Sequence, residues 1–302
     1  MNTVSDNIQL HYGRIRRVLI VILVLNWAVA AAKIIFGQLT HFTSMTADGF
    51  HSLSDGASNI IGLIGIHFAC QPADKKHPYG RKKYETLFAL GIAGLLFIVA
   101  FNLFKEGAMR IRYPQTPQVE PASFIIMLGT LLINFFVMRY EYAKGKALKS
   151  DILVSDSLHT KADLLTSVSV IAALIVTKLG FPLVDPLITM FIALFIAHSG
   201  LDIINKSSHI LCDRAAIIDI QTIAALAMKV SGVKDCHRIR TRGREDDIHV
   251  DLHVQVAGHM QMDEAHGISH AVEEEIKQNI PGVTDVVVHL ETRGSSGNKE
   301  EK

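Results

Sequence analysis

Two stretches of the chain carry the same spacing of carboxylate and imidazole. Residues 46–58 read TADGFHSLSDGAS, with Asp48, His51 and Asp55. Residues 154–167 read VSDSLHTKADLLTS, with Asp156, His159 and Asp163. Both follow D-x-x-H-x-x-x-D. At about 100° per residue, offsets of three and four keep all three polar side chains on one stripe of a helix. One such helix offers an ion one imidazole and one carboxylate. Two facing copies offer four N/O ligands, a set that suits Zn²⁺ in tetrahedral geometry. Asp48 and Asp156 share the stripe and read as supporting partners of the ligands. Lys161 falls on the other side of the wheel and reads as solvated or snorkelling.

These motifs need helices that cross a membrane. The chain has 302 residues, 49% of them hydrophobic and 20% charged, with a mean hydropathy of +0.28. That excludes a disordered chain and fits a membrane part joined to a soluble part. Runs free of Asp, Glu, Lys and Arg predict six spans, roughly 15–36, 44–69, 85–108, 121–139, 152–178 and 185–207. The second and fifth reach full length only by including the polar motifs. An intramembrane Asp costs roughly 2.5–3.5 kcal/mol at mid-depth, so these carboxylates should have work to do. Entered from opposite sides, both HxxxD pairs lie roughly 12–18 Å deep and can meet near the midplane. The alternative is that the polar groups join helices by hydrogen bonds; two matching copies favour a shared site.

Lys and Arg gather before span one (Arg14, Arg16, Arg17), after span two (Lys75, Lys76, Arg81, Lys82, Lys83) and after span four (Arg139, Lys144, Lys146, Lys149). By the positive-inside rule both termini face the cytoplasm. The expected organisation is a cytoplasmic tail at 1–13, a six-span domain at 14–211, a soluble domain at 212–292 and a disordered tail at 293–302. In the soluble part, 216–230 and 263–279 read as helices, and 233–242, 248–256 and 283–290 as strands. The fold class is an all-α six-helix transmembrane domain plus a small α+β domain of order αββαβ. Here His249, Asp251, His253 and Gln255 share the polar face of a strand. His266 and His270 are i, i+4 neighbours on a helix, and His289 and Glu291 lie on one side of the last strand. Cys236 reads as packing.

At these residues the chain resembles the cation diffusion facilitator family. The resemblance rests on the paired HxxxD motifs, the loop PADKKHPYG and the αββαβ tail, and covers about residues 14–291. It implies a homodimer in the lipid bilayer that exchanges cytoplasmic Zn²⁺ for protons, with His51, Asp55, His159 and Asp163 as transport ligands. Fe²⁺, Co²⁺, Cd²⁺ or Ni²⁺ are permitted by the same ligands. The resemblance also implies a regulatory metal site in the tail at His237, His253, His266, His289 and Glu291, where Glu replaces a more usual Asp; His249 and His270 fall outside it. Asp74 and His77 match a loop metal site, but Arg81 stands where the family often has a third ligand, His, and a cation there weakens the site. Lys83 and Asp213 match a charge interlock. The short basic segment 140–150 replaces the histidine-rich loop of many eukaryotic relatives. It favours a prokaryotic protein of the inner, or cell, membrane.

Net charge +1 gives no argument for nucleic acid. Three cysteines without CxxC exclude a disulfide framework and a zinc ribbon. Neither HExxH nor GxxxxGK[ST] occurs, so a zinc protease and a P-loop pump are not expected, and the chain reads as a non-enzyme. The rival reading is a membrane-anchored metal sensor whose tail binds metal without transport.

Overall fold

The computed structural model describes residues 2–39, 53, 56–112, 121–178 and 184–292. These fall into two compact units, divided between Ser208 and His209. The first unit is helical: α1 (Asn2–Leu39), α2 (Ala57–Ala69), α3 (Lys83–Arg112), α4 (Pro121–Ala147), α5 (Asp151–Lys178) and α6 (Val184–Leu211). Asp48, His51 and Asp55 lie outside the described residues.

Stretches of α1, α3 and α6 are long and apolar enough to cross a membrane, among the described residues. Helix α5 is 28 residues long, but its Asp151, Asp156, Lys161 and Asp163 lower its hydropathy. Large apolar side chains point outward, including Phe101, Phe136 and Phe191. Such a surface is costly in water and suits lipid. The protein is an integral membrane protein with a helical transmembrane domain and a small α+β domain.

Two boundaries differ from the sequence reading. Helix α1 runs through the segment read as an N-terminal tail. Helix α4 continues to Ala147, so residues 140–147, read as loop, are helix. Lys144 and Lys146 there complement the helix dipole in its last turn. The chain then reverses at Lys149, whose φ is 49°.

Helix α5 is anchored at its start by α3. Ser150 caps it, its Oγ accepting from the Leu153 N–H at 3.3 Å. Glu85, fully buried, accepts from the Ser150 hydroxyl. The Thr86 hydroxyl donates to Asp151 at 2.9 Å. Helix α2 packs against α5 through small residues. A Cβ on Gly62 would meet Ile152 at 2.8 Å, and one on Gly65 would meet Phe88 at 2.6 Å and Ile152 at 2.7 Å.

The second unit contains α7 (Ile220–Lys229), β1 (Asp235–Arg244), β2 (Asp247–Val256), α8 (Met262–Asn279) and β3 (Val283–Thr292), the expected αββαβ order. The sheet order is β1-β2-β3, antiparallel then parallel. Strand β2 alternates strictly between buried and half-buried residues. Its Val250, Leu252 and Val254 form the core with Ile223 of α7, and Val272 and Ile276 of α8. The polar face is left for the histidines.

Candidate metal centres

In the helical unit, His159 is 6% exposed. Its Nε2 lies 3.9 Å from Asp163 Oδ2, one turn on. Both line a small polar cavity with Asn26 of α1, Thr130 and Asn134 of α4, and Thr160. Asp156, one turn earlier, is fully buried. It accepts a hydrogen bond from Asn59 Nδ2 of α2, whose Oδ1 accepts from Asn26 Nδ2 at 3.3 Å. Asp156 therefore sits in a polar chain that links three helices. Lys161 stands with its Nζ 4.7 Å from the Phe195 ring centroid, away from this chain.

One residue of this region escaped the sequence reading. Glu141, in the last turns of α4, is fully buried. Its Oε2 accepts from the Thr160 hydroxyl at 2.9 Å, and its carboxyl faces that of Asp156. The sequence hides it, because Glu141 stands beside Arg139, Lys144 and Lys146 in a charged stretch.

In the loop, Asp74 accepts from the backbone N–H of His77 at 2.7 Å, and its Oδ1 stands 3.2 Å from His77 Nδ1. Its other oxygen accepts from Arg81 Nη2, while Arg81 Nη1 bonds Gln71. The His77 backbone N–H, then the guanidinium, pull the Asp74 carboxyl down to about 2. Here a fixed cation holds the carboxylate. Lys83 opens α3. Asp213, with φ 54°, follows the end of α6.

In the α+β unit, strand register sets a row of imidazoles. His237 of β1 pairs with His253 of β2, which pairs with His289 of β3. A one-residue bulge follows His237, with Arg238 at φ 47°. Glu291 lies two residues beyond His289 on the same face. Its Oε1 is 2.7 Å from His253 Nδ1 and its Oε2 is 3.3 Å from His237 Nε2. Ligand atoms of His237, His253 and Glu291 all fall within 4.8 Å of one another, the arrangement a metal ion needs. The His289 ring is 4.6 Å from that of His253. The hydrogen bond from His253, with the nearby imidazoles, holds the Glu291 carboxyl below its usual range. Cys236 packs at the core edge, and burial pushes its thiol up to about 11.

His266 turns to another partner. Its Nε2 lies 3.1 Å from that of His270. His249, on the polar face of β2, is held between Asp247 at 3.8 Å and Asp285 at 3.5 Å.

Buried N/O groups between lipid-facing helices, with an imidazole–carboxylate cluster on a small sheet, are the features of a membrane protein with groups that could hold a metal ion. Residues 19–212 match the cation efflux transmembrane domain, and residues 217–293 match the cation efflux protein cytoplasmic domain. The chain belongs to the cation efflux family, whose members are transporters. An uncharacterised transporter of Methanocaldococcus jannaschii is 32% identical over 92% of this chain and 98% of its own length. The manganese efflux system protein MneS of Bacillus subtilis is 28% identical over 83% of this chain and 86% of its own. The cation-efflux pump FieF of Shewanella oneidensis is 28% identical over 82% and 83%.

Proposed function

We propose that the chain exports Zn²⁺ from the cytoplasm in exchange for protons, with His51, Asp55, His159 and Asp163 as the ligands of the transported ion. One observation carries this reading. Contacts between α2 and α5 run in opposite directions along the two helices: Gly65 and Gly62 approach Ile152, and Asn59 bonds Asp156. This antiparallel track runs toward His159 and Asp163 on α5, and the sequence carries the second HxxxD motif just before α2.

The chemistry follows from the ligand types. Zn²⁺ binds neutral imidazole and ionised carboxylate, so binding expels protons and protonation expels the ion. Free His titrates near 6.5 and free Asp near 3.9. A site open to each side in turn then links metal efflux to proton entry. Cytoplasmic metal at His237, His253 and Glu291, with the His289 ring beside that of His253, biases a homodimer built on the α+β unit. The loop pair Asp74–His77 contributes little while Arg81 holds Asp74. Both termini face the cytoplasm, in a bacterial or archaeal cell membrane.

The test is flux. In proteoliposomes under a pH step, the wild type moves Zn²⁺, while Asp163→Ala and His51→Ala do not, though both remain folded. Persistent flux in both variants sinks the assignment. Metal binding without flux in the wild type means a sensor. The relative named for manganese efflux supports Mn²⁺ as a second cargo, so Zn²⁺, Mn²⁺, Fe²⁺, Co²⁺, Cd²⁺ and Ni²⁺ should compete in the same assay.

A further inference from the structure

We propose that Glu141 and Asp156 form a second cation station in the helical unit, lined by oxygen alone and separate from the His–Asp transport ligands. Both side chains are fully buried. Each carboxylate has a neutral donor: the Thr160 hydroxyl for Glu141 Oε2, and the Asn59 amide for Asp156 Oδ2, with Ser58 also at Asp156. The remaining oxygens, Glu141 Oε1 and Asp156 Oδ1, are buried and have no partner besides the facing carboxyl. Buried polar atoms are nearly always satisfied, and an exception points to a missing partner.

The two carboxyls face each other across the α4–α5 contact. Two facing carboxylates in a low dielectric repel strongly, and a cation between them converts that repulsion into binding. Neutral donors fix their orientation and leave their charge uncompensated, as a cation site requires. Two carboxylates with a hydroxyl and water are hard ligands. They suit Mn²⁺, Fe²⁺ or Mg²⁺ better than the mixed N/O set suits them.

Position gives the station a role. Asp156 lies one turn from His159 and two turns from Asp163, toward the start of α5. That start is the cytoplasmic end in the orientation proposed above. An outbound ion meets the oxygen pair first and exchanges its water there before reaching the imidazole. The direction of travel rests on the proposed transport reading; the binding itself does not.

The experiment counts ions on the full-length chain in lipid nanodiscs, with radioactive Mn²⁺ at saturation in equilibrium dialysis. Glu141→Gln keeps an acceptor for Thr160 and removes the charge. It should bind one Mn²⁺ fewer per chain than the wild type. Asp163→Ala should also bind one fewer, and the double variant two fewer. A Glu141→Gln count equal to the wild type overturns the proposal and leaves the pair sharing a proton. A double variant that loses no more than either single variant also overturns it, because the two sets are then one site. If Asp163→Ala loses nothing while Glu141→Gln loses an ion, the station stands and the transport-ligand reading fails. Should Glu141→Gln not fold, Glu141→Asp keeps both carboxylates with one methylene less. It should keep the count with roughly tenfold weaker binding, and unchanged affinity overturns the proposal.

Discussion

Asn59 of α2 donates its side-chain amide to the buried carboxylate of Asp156 on α5. This bond ties α5, which carries one HxxxD motif, to α2, which follows the other motif in the chain. A hydrogen bond to a charged group contributes about 1.5–3 kcal/mol. Asn59→Ala should destabilise the helical unit by about that much in detergent unfolding, and slow metal flux. An unchanged unfolding midpoint would show that the bond fixes nothing.

The Gly65 contact sets how closely α2 can approach α3 and α5. Gly65→Ala places a methyl against Phe88 and Ile152, and overpacking costs about 1–3 kcal/mol. The thermal midpoint of Gly65→Ala should fall, whereas Gly94→Ala, with nothing within 4 Å of the added carbon, should not.

On the sheet, Glu291 bridges two imidazoles. Glu291→Gln should weaken metal binding by the α+β unit at least tenfold, read by calorimetry on the full chain whose transport ligands are intact. His270→Ala should change that affinity by about twofold or less, since His270 pairs with His266 on the helix. Equal losses in both variants would place the ion on α8 instead.

His249 stands between two carboxylates, and its pKa is raised, chiefly by the hydrogen bond with Asp247 and then by Asp285. A group whose folded pKa is raised stabilises the fold fully below its unfolded value, near 6.5. That contribution is lost as pH rises through the raised value. The α+β unit should therefore lose stability from about pH 6.5 upward on this account, and His249→Gln should flatten that part of the curve. A wild-type melting curve that rises with pH over this window contradicts the sign.

Much of this architecture is legible in local pattern. Strand β2 alternates in sequence as it does in burial, because one face packs on α7 and α8. The apolar runs of α1, α3 and α6 need only length. The HxxxD spacing of α5 speaks for itself, because a stripe of acids in an apolar helix has few explanations. Glu141 was not legible as a site residue. It sits among Arg139, Lys144 and Lys146, a composition that reads as loop, and only its bond with Thr160 on α5 reveals its burial. The His237–His253–His289 row came from the family resemblance and not from local pattern, since it depends on strand register and a bulge. His266 matched the cytoplasmic metal cluster by resemblance, yet its ring meets His270, because i, i+4 neighbours on a helix reach each other first.

The most direct measurement asks whether α2 and α5 hold one ion between them. In a chain with Cys70, Cys212 and Cys236 replaced by Ser, Asp55→Cys and Asp163→Cys are combined, and Cd²⁺ is titrated against thiol alkylation in nanodiscs. The account expects one Cd²⁺ per chain to protect both thiols together, and neither single variant to be protected at the same concentration. Two thiols that are blocked independently, or not at all, would contradict it.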